Sequence, residues 1–261
     1  MNIDLEHIVT IASRASEAIM DIYTRGFDVE EKADKSPLTE ADLAAHHLIV
    51  RELSQLDSCL PVLSEESANI PWNERSRWLR YWLVDPLDGT REFVERNGEF
   101  TVNIALIESG RATCGVVHVP VTRTSYYGCL ERGAWKKEGD ESPRPIRAAA
   151  QRRYPLRIVD SRSHAGDSLE RFLEQVGPHE IMSMGSSLKL CLVAEGEVDI
   201  YPRLGPTSEW DTAAAQAVVE AAGGLVTDIE GQPLRYNRKD SLLNPHFLVF
   251  GDENEDWRRY L

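Results

Sequence analysis

YWLVDPLDGTREFVE, Tyr81 to Glu95, is the stretch on which the reading of this chain turns. Its first part is a buried strand rich in Trp, Leu and Val that delivers Asp85 at its end. Pro86 then breaks the ladder, because proline has no N–H to give. Asp88 follows three residues later on the same turn, so two carboxylates point at one spot and the Leu87 carbonyl can join them. Hard cations such as Mg²⁺ want oxygen ligands of this kind. Gly89 permits close backbone approach, and Thr90 stands where a helix, TREFVER, can begin. The N–H groups of that first turn have no partner within the helix and form a seat for an anion such as phosphate. Asp-Pro and Asp-Gly are also common turn pairs, so the motif by itself leaves both readings open.

A polynuclear metal site needs further acids. Glu65 and Glu66 end a predicted strand at LSEES, and Asp211 opens a predicted helix at SEWDTAAAQAV. Strand ends and helix starts are where side chains of an α/β layer project into a shared crevice. A solvated acidic turn and a first-turn helix acid account for the same residues equally well. Thr39-x-x-Asp42 reads first as a capping box, a local stabiliser of a helix start. An acid at that position can also accept a hydrogen bond from Thr90, but on the residues alone the cap is the better reading.

Outward from this motif, residues 3–24 carry Ile8, Ile11, Ala12, Ala15, Ile19 and Ile22 at helical spacing, and Gly26 stops the run. A second helix opens at Thr39, with Leu43, His47, Val50 and Leu53 expected along one side. Phe100 to Glu108 and Cys114 to Val121 alternate like strands joined by a turn at Ser109-Gly110, and SYYGCLERGAWKK continues the meander. From Gly139 to Pro155 the composition shifts to Pro, Arg and Ala, a connection between halves. Beyond it, LRIVD, IMSM, VDIYPR, GLVTD and FLVFG are strands alternating with helices at DSLERFLEQV, LKLCLVAEG and the Ala-rich segment from Thr212 to Ala222. The fold class is therefore α/β with an α+β N-terminal half. The division expected is 1–150, carrying most of the acids and the anion seat, and 151–261, carrying Asp211.

At 261 residues the chain can bury a sizeable core without disulfides or structural metal. Cys59, Cys114, Cys129 and Cys191 show no metal-like spacing and read as core or incidental thiols of a reducing compartment. The net charge of −14, from 43 acidic and 29 basic residues, argues against binding a nucleic-acid polymer. It disfavours a small phosphorylated substrate too, unless bound cations reverse the sign locally. No signal peptide or membrane-spanning run is visible, so the expectation is a cytoplasmic protein. Oligomeric state is not legible.

Taken together, LSEES at 63–67, WLVDPLDGTREF at 82–93 and EWDTAAAQAVVEAAGG at 209–224 resemble the three signatures of the inositol monophosphatase superfamily, in its order and spacing. SPLTEAD at 36–42, VDSRSH at 159–164 and the 185–211 segment are similar to its 3′(2′),5′-bisphosphate nucleotidase branch. The resemblance implies a layered αβαβα sandwich of the inositol monophosphatase and fructose-1,6-bisphosphatase type, with the site between its halves. It implies two or three Mg²⁺ ions held by Glu65, Asp85, the Leu87 carbonyl, Asp88 and Asp211. It further implies that Asp42 and Thr90 pair to activate the attacking water near Glu65, which overturns the reading of Asp42 as a mere cap. Gly89 and Thr90 would hold the phosphate, and Ser163, His164, Gly185, Ser186 and Lys189 would face a nucleotide.

The activity implied is hydrolysis of adenosine 3′,5′-bisphosphate to AMP and phosphate, with lithium sensitivity and a role in sulfur metabolism. Some relatives lie peripherally at the cytoplasmic face of the inner membrane. Inositol phosphate or fructose 1,6-bisphosphate is the alternative substrate, and a catalytically silent nucleotide or cation sensor the alternative class; the latter would have lost a ligand or Thr90, and neither is missing. Aspartyl-phosphate phosphatases carry a DxDGT motif, but with one residue between the acids instead of two.

Overall fold

Alternation along the strands decides the layering. In the computed structural model, which describes residues 3–31, 37–161 and 167–261, Tyr81 and Leu83 point to one face of a sheet and Trp82 and Val84 to the other. Both faces are apolar, so both must be covered. The helices are α1 (Leu5–Arg25), α2 (Glu40–Leu56), α3 (Trp72–Arg75), α4 (Thr90–Val94), α5 (Asp167–Val176), α6 (Leu188–Ala194) and α7 (Glu209–Ala221). A short antiparallel pair, β1 (Val29–Glu31) and β2 (Pro37–Thr39), precedes the main sheet. That sheet runs in sequential order through β3 (Val62–Ser64), β4 (Arg80–Asp88), β5 (Thr101–Glu108), β6 (Arg111–Val119), β7 (Thr124–Cys129), β8 (Gly133–Glu138) and β9 (Arg144–Ile146). All neighbours are antiparallel except β3 and β4. A second sheet has the order β11 (His179–Met184), β10 (Leu156–Ser161), β12 (Ile200–Arg203), β14 (Phe247–Phe250), β13 (Leu225–Asp228).

The apolar stripe of α1, joined by Ala41, Ala45, Ile49 and Leu53 of α2, covers the Trp82 face of the first sheet. Helices α6 and α7 fill the space between its Tyr81 face and the second sheet, where Tyr201, Phe247 and Val249 meet them. Phe172 of α5 and Trp257 close the outer face of the second sheet. The result is the five-layer αβαβα sandwich. The Ala-rich composition of α7 follows from how closely it lies on the sheet: a Cβ at Gly115 would overlap the Ala214 carbonyl oxygen, and one at Gly128 would come within 2.9 Å of Ala221 Cβ.

Four local expectations change. Strand β4 does not stop at Asp85 but continues through Asp88. Register with β5 slips between them, since Asp85 pairs Asn103 while Asp88 pairs Thr101, a bulge that absorbs Pro86. In α2, Leu43 and His47 are exposed, and the buried stripe is Ala41/Asp42, Ala45, Ile49 and Glu52/Leu53, because Asp42 turns inward to meet Thr90 Oγ1. The stretch from Gly139 to Pro155 contains an edge strand, β9. Finally, Cys114 and Cys129, directly opposite in the β6–β7 register, form a disulfide, so they are not incidental thiols. Among the described residues no helix is long and apolar enough to cross a membrane.

His118, 3% exposed on β6, holds Ser125 Oγ at 2.8 Å through Nδ1, while its Nε2 is buried without a partner. Burial, with Arg123 adding repulsion, lowers its pKa from 6.5 to about 4. The folded state therefore binds this proton less readily than the unfolded chain, and the stability it carries above pH 6.5 is lost as pH falls towards 4. From pH 7 to pH 4 the stability advantage of the wild type over His118→Asn should shrink by about 3 kcal/mol in urea titrations; a constant gap would contradict a buried neutral imidazole. Gly115→Ala should lower stability by about 3 kcal/mol, read the same way, because the Cβ pushes α7 off the sheet; a change under roughly 1 kcal/mol would contradict that contact.

Candidate active site

In a regular strand, residues three apart face opposite sides of the sheet. The extra residue in the β4 bulge brings Asp85 and Asp88 to the same side, and the start of α7 delivers Asp211 to them. Carboxylate oxygens of these three residues all lie within 4.8 Å of one another. Each acid engages one oxygen with a backbone N–H. Asp85 Oδ1 accepts from Leu87 at 3.1 Å, Asp88 Oδ2 from Ser187 at 2.6 Å and Asp211 Oδ2 from Ser208 at 3.0 Å. The last bond belongs to a capping box, Ser208-x-x-Asp211.

Such crowding is electrostatically unfavourable. Desolvation raises the pKa of Asp85 well above its usual range, and Glu65, Asp88 and Asp211 add to the rise. Asp211 is raised well above it for the same reasons, burial first, then Asp88 and Glu65. An all-oxygen donor set of closely spaced acids suits a hard divalent cation, and the cluster can hold a metal ion.

Asp42, 1% exposed, turns out to serve both readings at once. Its Oδ2 accepts from Thr39 N at 2.8 Å and Thr39 Oγ1 at 2.7 Å, closing the capping box. Its Oδ1 lies 3.2 Å from Thr90 Oγ1, which is also 3.3 Å from the Leu87 carbonyl oxygen. Gly89, at φ 89°, is the left-handed residue that turns β4 into α4, so that Thr90 starts the helix beside the acids.

A cavity of about 340 Å³ opens over this cluster, the lower end of the usual range for small-molecule sites. Glu65, Asp85, Leu87, Asp88, Gly89, Thr90 and Asp211 line it, together with Ser186 and Lys189. Lys189 is 7% exposed and donates to the Ser186 carbonyl at 2.6 Å; burial lowers its pKa to about 8 against the opposing pull of Asp88. Gly185 stands behind the wall: its N–H donates to Glu99 Oε2 at 2.7 Å, and a Cβ there would come within 2.6 Å of Glu92 Cγ. Ser163 and His164 lie outside the described residues.

Several residues of the site escaped the sequence reading. Arg203 and Tyr201 also line the cavity, Arg203 anchored on Thr207 Oγ1 at 2.5 Å and the Pro206 carbonyl at 2.6 Å. Ser187 and Asn103 support Asp88 from outside it. The signal for Asn103 was visible, since it interrupts the apolar run Val102 to Ile107 and is 1% exposed. For Arg203 no local pattern marks it off from a strand-end cation.

The chain belongs to the inositol monophosphatase family, whose model matches residues 4–255. Among its relatives, the 3′(2′),5′-bisphosphate nucleotidase CysQ of Escherichia coli strain K12 is 51% identical over 248 residues, 94% of this chain and 98% of that protein. CysQ of Haemophilus influenzae is 38% identical, over 97% of this chain and 95% of its own. The crystal structure of CysQ from Bacteroides thetaiotaomicron, described as a bacterial member of the inositol monophosphatase family, superimposes with a TM-score of 0.82 at 40% identity, covering 97% of this chain and 100% of that one.

The two oxygens of Asp42 can be separated by mutation. Asp42→Ala removes the carboxylate half of the α2 capping box along with the acceptor of Thr90, and should lower stability by about 1 kcal/mol. Thr90→Val leaves the cap intact and should shift stability by less than half of that in urea titrations. Equal destabilisation by the two would mean that the Thr39–Asp42 cap carries no stability.

Proposed function

We propose that this protein is a Mg²⁺-dependent phosphomonoesterase that hydrolyses adenosine 3′,5′-bisphosphate to AMP and phosphate. The observation that carries the reading is one cavity lined both by an acidic cluster, Asp85, Asp88 and Asp211, and by two buried cations, Lys189 and Arg203. A divalent cation answers the acids and a phosphate the cations. The nucleotide is inferred from the activity named for the CysQ relatives.

Glu65, Asp85, the Leu87 carbonyl, Asp88 and Asp211 are the residues we assign to two or three Mg²⁺ ions. Bound there, the ions would neutralise phosphoryl charge and stabilise the leaving oxygen. The residues of the chain supply the rest. Gly89 and Thr90 N–H groups, at the start of α4, hold the phosphate. Glu65 orients the attacking water. Thr90 Oγ1 accepts its proton while giving its own to Asp42 Oδ1, along the 3.2 Å contact already in place. Lys189 and Arg203 bind a second phosphate of the substrate, and Ser186 lies beside them. Ser163, His164 and Gly185 complete the nucleotide side of this assignment. Phosphate monoesters are so unreactive that these effects together must lower the barrier by roughly 20 kcal/mol or more. In this scheme residues 1–150 carry the hydrolytic half of the site and residues 151–261 the half that selects the substrate. We place the enzyme in the cytoplasm and expect inhibition by lithium.

The cavity residues supplied by the 185–209 segment, Ser186, Lys189, Tyr201, Arg203 and Thr207 among them, set the substrate, so the decisive experiment compares substrates. With Mg²⁺, kcat/KM for adenosine 3′,5′-bisphosphate should exceed that for inositol phosphate and fructose 1,6-bisphosphate by at least about 100-fold, the equivalent of roughly 2.7 kcal/mol. Faster turnover of inositol phosphate would overturn the assignment. Chelation of divalent ions should abolish turnover and Mg²⁺ restore it. Asp88→Asn should remove nearly all activity with the fold intact, and Thr90→Val should lower kcat by about 100-fold or more. Near-normal activity in Asp88→Asn would sink the metal assignment.

A further inference from the structure

Asp88 is held differently from the other acids of the cluster. Its Oδ2 lies within reach of four donors: Ser187 N at 2.6 Å, Ser187 Oγ at 2.6 Å, Asn103 Nδ2 at 3.2 Å and Thr101 Oγ1 at 3.4 Å. Ser187 Oγ is also 2.6 Å from the main-chain carbonyl oxygen of Asp211 and accepts from Asn103 Nδ2 at 2.8 Å. Asn103, Ser187 and Thr101 are buried, at 1%, 1% and 0% exposure, and none of them lines the cavity. They therefore meet the site only through the acids.

We infer that Ser187 and Asn103 are positioning residues that lock the rotation of the Asp88 carboxylate beside Asp211, so that its Oδ1 is the oxygen offered to a cation. The inference rests on the metal reading proposed above. A carboxylate beside two others is pushed to rotate away from them, and donors gathered on one oxygen hold it in place while leaving lone pairs on the other. Ser187 does this from the start of α6, Asn103 from β5, and the Asp211 carbonyl belongs to α7. With one proton, the hydroxyl donates to Asp88 Oδ2 or to the Asp211 carbonyl, 2.6 Å from each, and so stands between two acids that arrive on separate elements. Nothing local in the sequence requires a serine there, because the Ser187 side chain does not cap α6.

The test is Mg²⁺ binding measured by calorimetry without substrate, alongside the Mg²⁺ dependence of turnover. Ser187→Ala keeps the backbone donor and should weaken Mg²⁺ affinity by 10- to 100-fold, the range for groups that orient metal ligands. The Mg²⁺ concentration for half-maximal activity should rise in parallel. At saturating Mg²⁺ the substrate KM should stay within about twofold of wild type, since neither residue reaches the cavity. Thr101→Val, which removes the most distant donor, should change affinity by less than about threefold. Asn103→Ala leaves Ser187 in place and carries the test independently if Ser187→Ala does not fold. Wild-type affinity in both folded variants overturns the positioning role and leaves the metal reading standing. Absence of saturable Mg²⁺ binding to the wild-type chain overturns both.

Discussion

Three carboxylates brought within 4.8 Å of one another, one of them 1% exposed, repel strongly in a poorly hydrated place. The structure sustains the arrangement by giving one oxygen of each acid a backbone N–H, from Leu87, Ser187 and Ser208. The Leu87 and Ser208 bonds are local, but Ser187 reaches Asp88 from α6 and Asp211 arrives on α7, so the cluster forms only where β4, α6 and α7 are held against one another. The layering follows from that requirement. Helix α7 lies directly on the sheet that carries Asp85 and Asp88, and it can approach so closely because Gly115 and Gly128 present no side chains to its alanines. A bulkier contact would move Asp211 outward and dissolve the cluster.

The β4 bulge is the second device. Proline within a strand removes a ladder donor, which ordinarily weakens the sheet. Here Pro86 occupies the extra residue, so the lost bond falls where the ladder is already interrupted. The same insertion reverses the pleat between Asp85 and Asp88 and turns both acids to one face. Strand termination, two acids of the cluster and the entry into α4 are thus compressed into the six residues from Asp85 to Thr90.

Acids at the third position of a helix recur with two duties. Asp42 and Asp211 each close a capping box with one oxygen. Asp42 then gives its other oxygen to Thr90, and Asp211 joins the cluster. A helix cap fixes the rotamer of its acid, which is what a preorganised site needs. A cap and a contact with Thr90 therefore share one side chain, and the two readings of Thr39-x-x-Asp42 are compatible.

Much of the fold was legible because its signals are local. Apolar spacing marked α1, turn residues at Ser109-Gly110 marked the β5–β6 hairpin, and Glu65, Asp88 and Asp211 stand at or next to element ends, where side chains project. The inward rotation of α2 was not legible, because it depends on Asp42 reaching Thr90, 48 residues away. The Cys114–Cys129 disulfide needed the β6–β7 register, which spacing alone does not specify. Arg203 and Ser187 carry no motif of their own; their meaning comes from the cavity and from the acid they face. By itself the sequence determined which residues are acids, where elements begin and which faces are apolar, since these depend on neighbours along the chain. Only the tertiary structure decided which oxygens meet, because that depends on a bulge, two glycines and a buried serine acting between elements that the chain brings together from far apart.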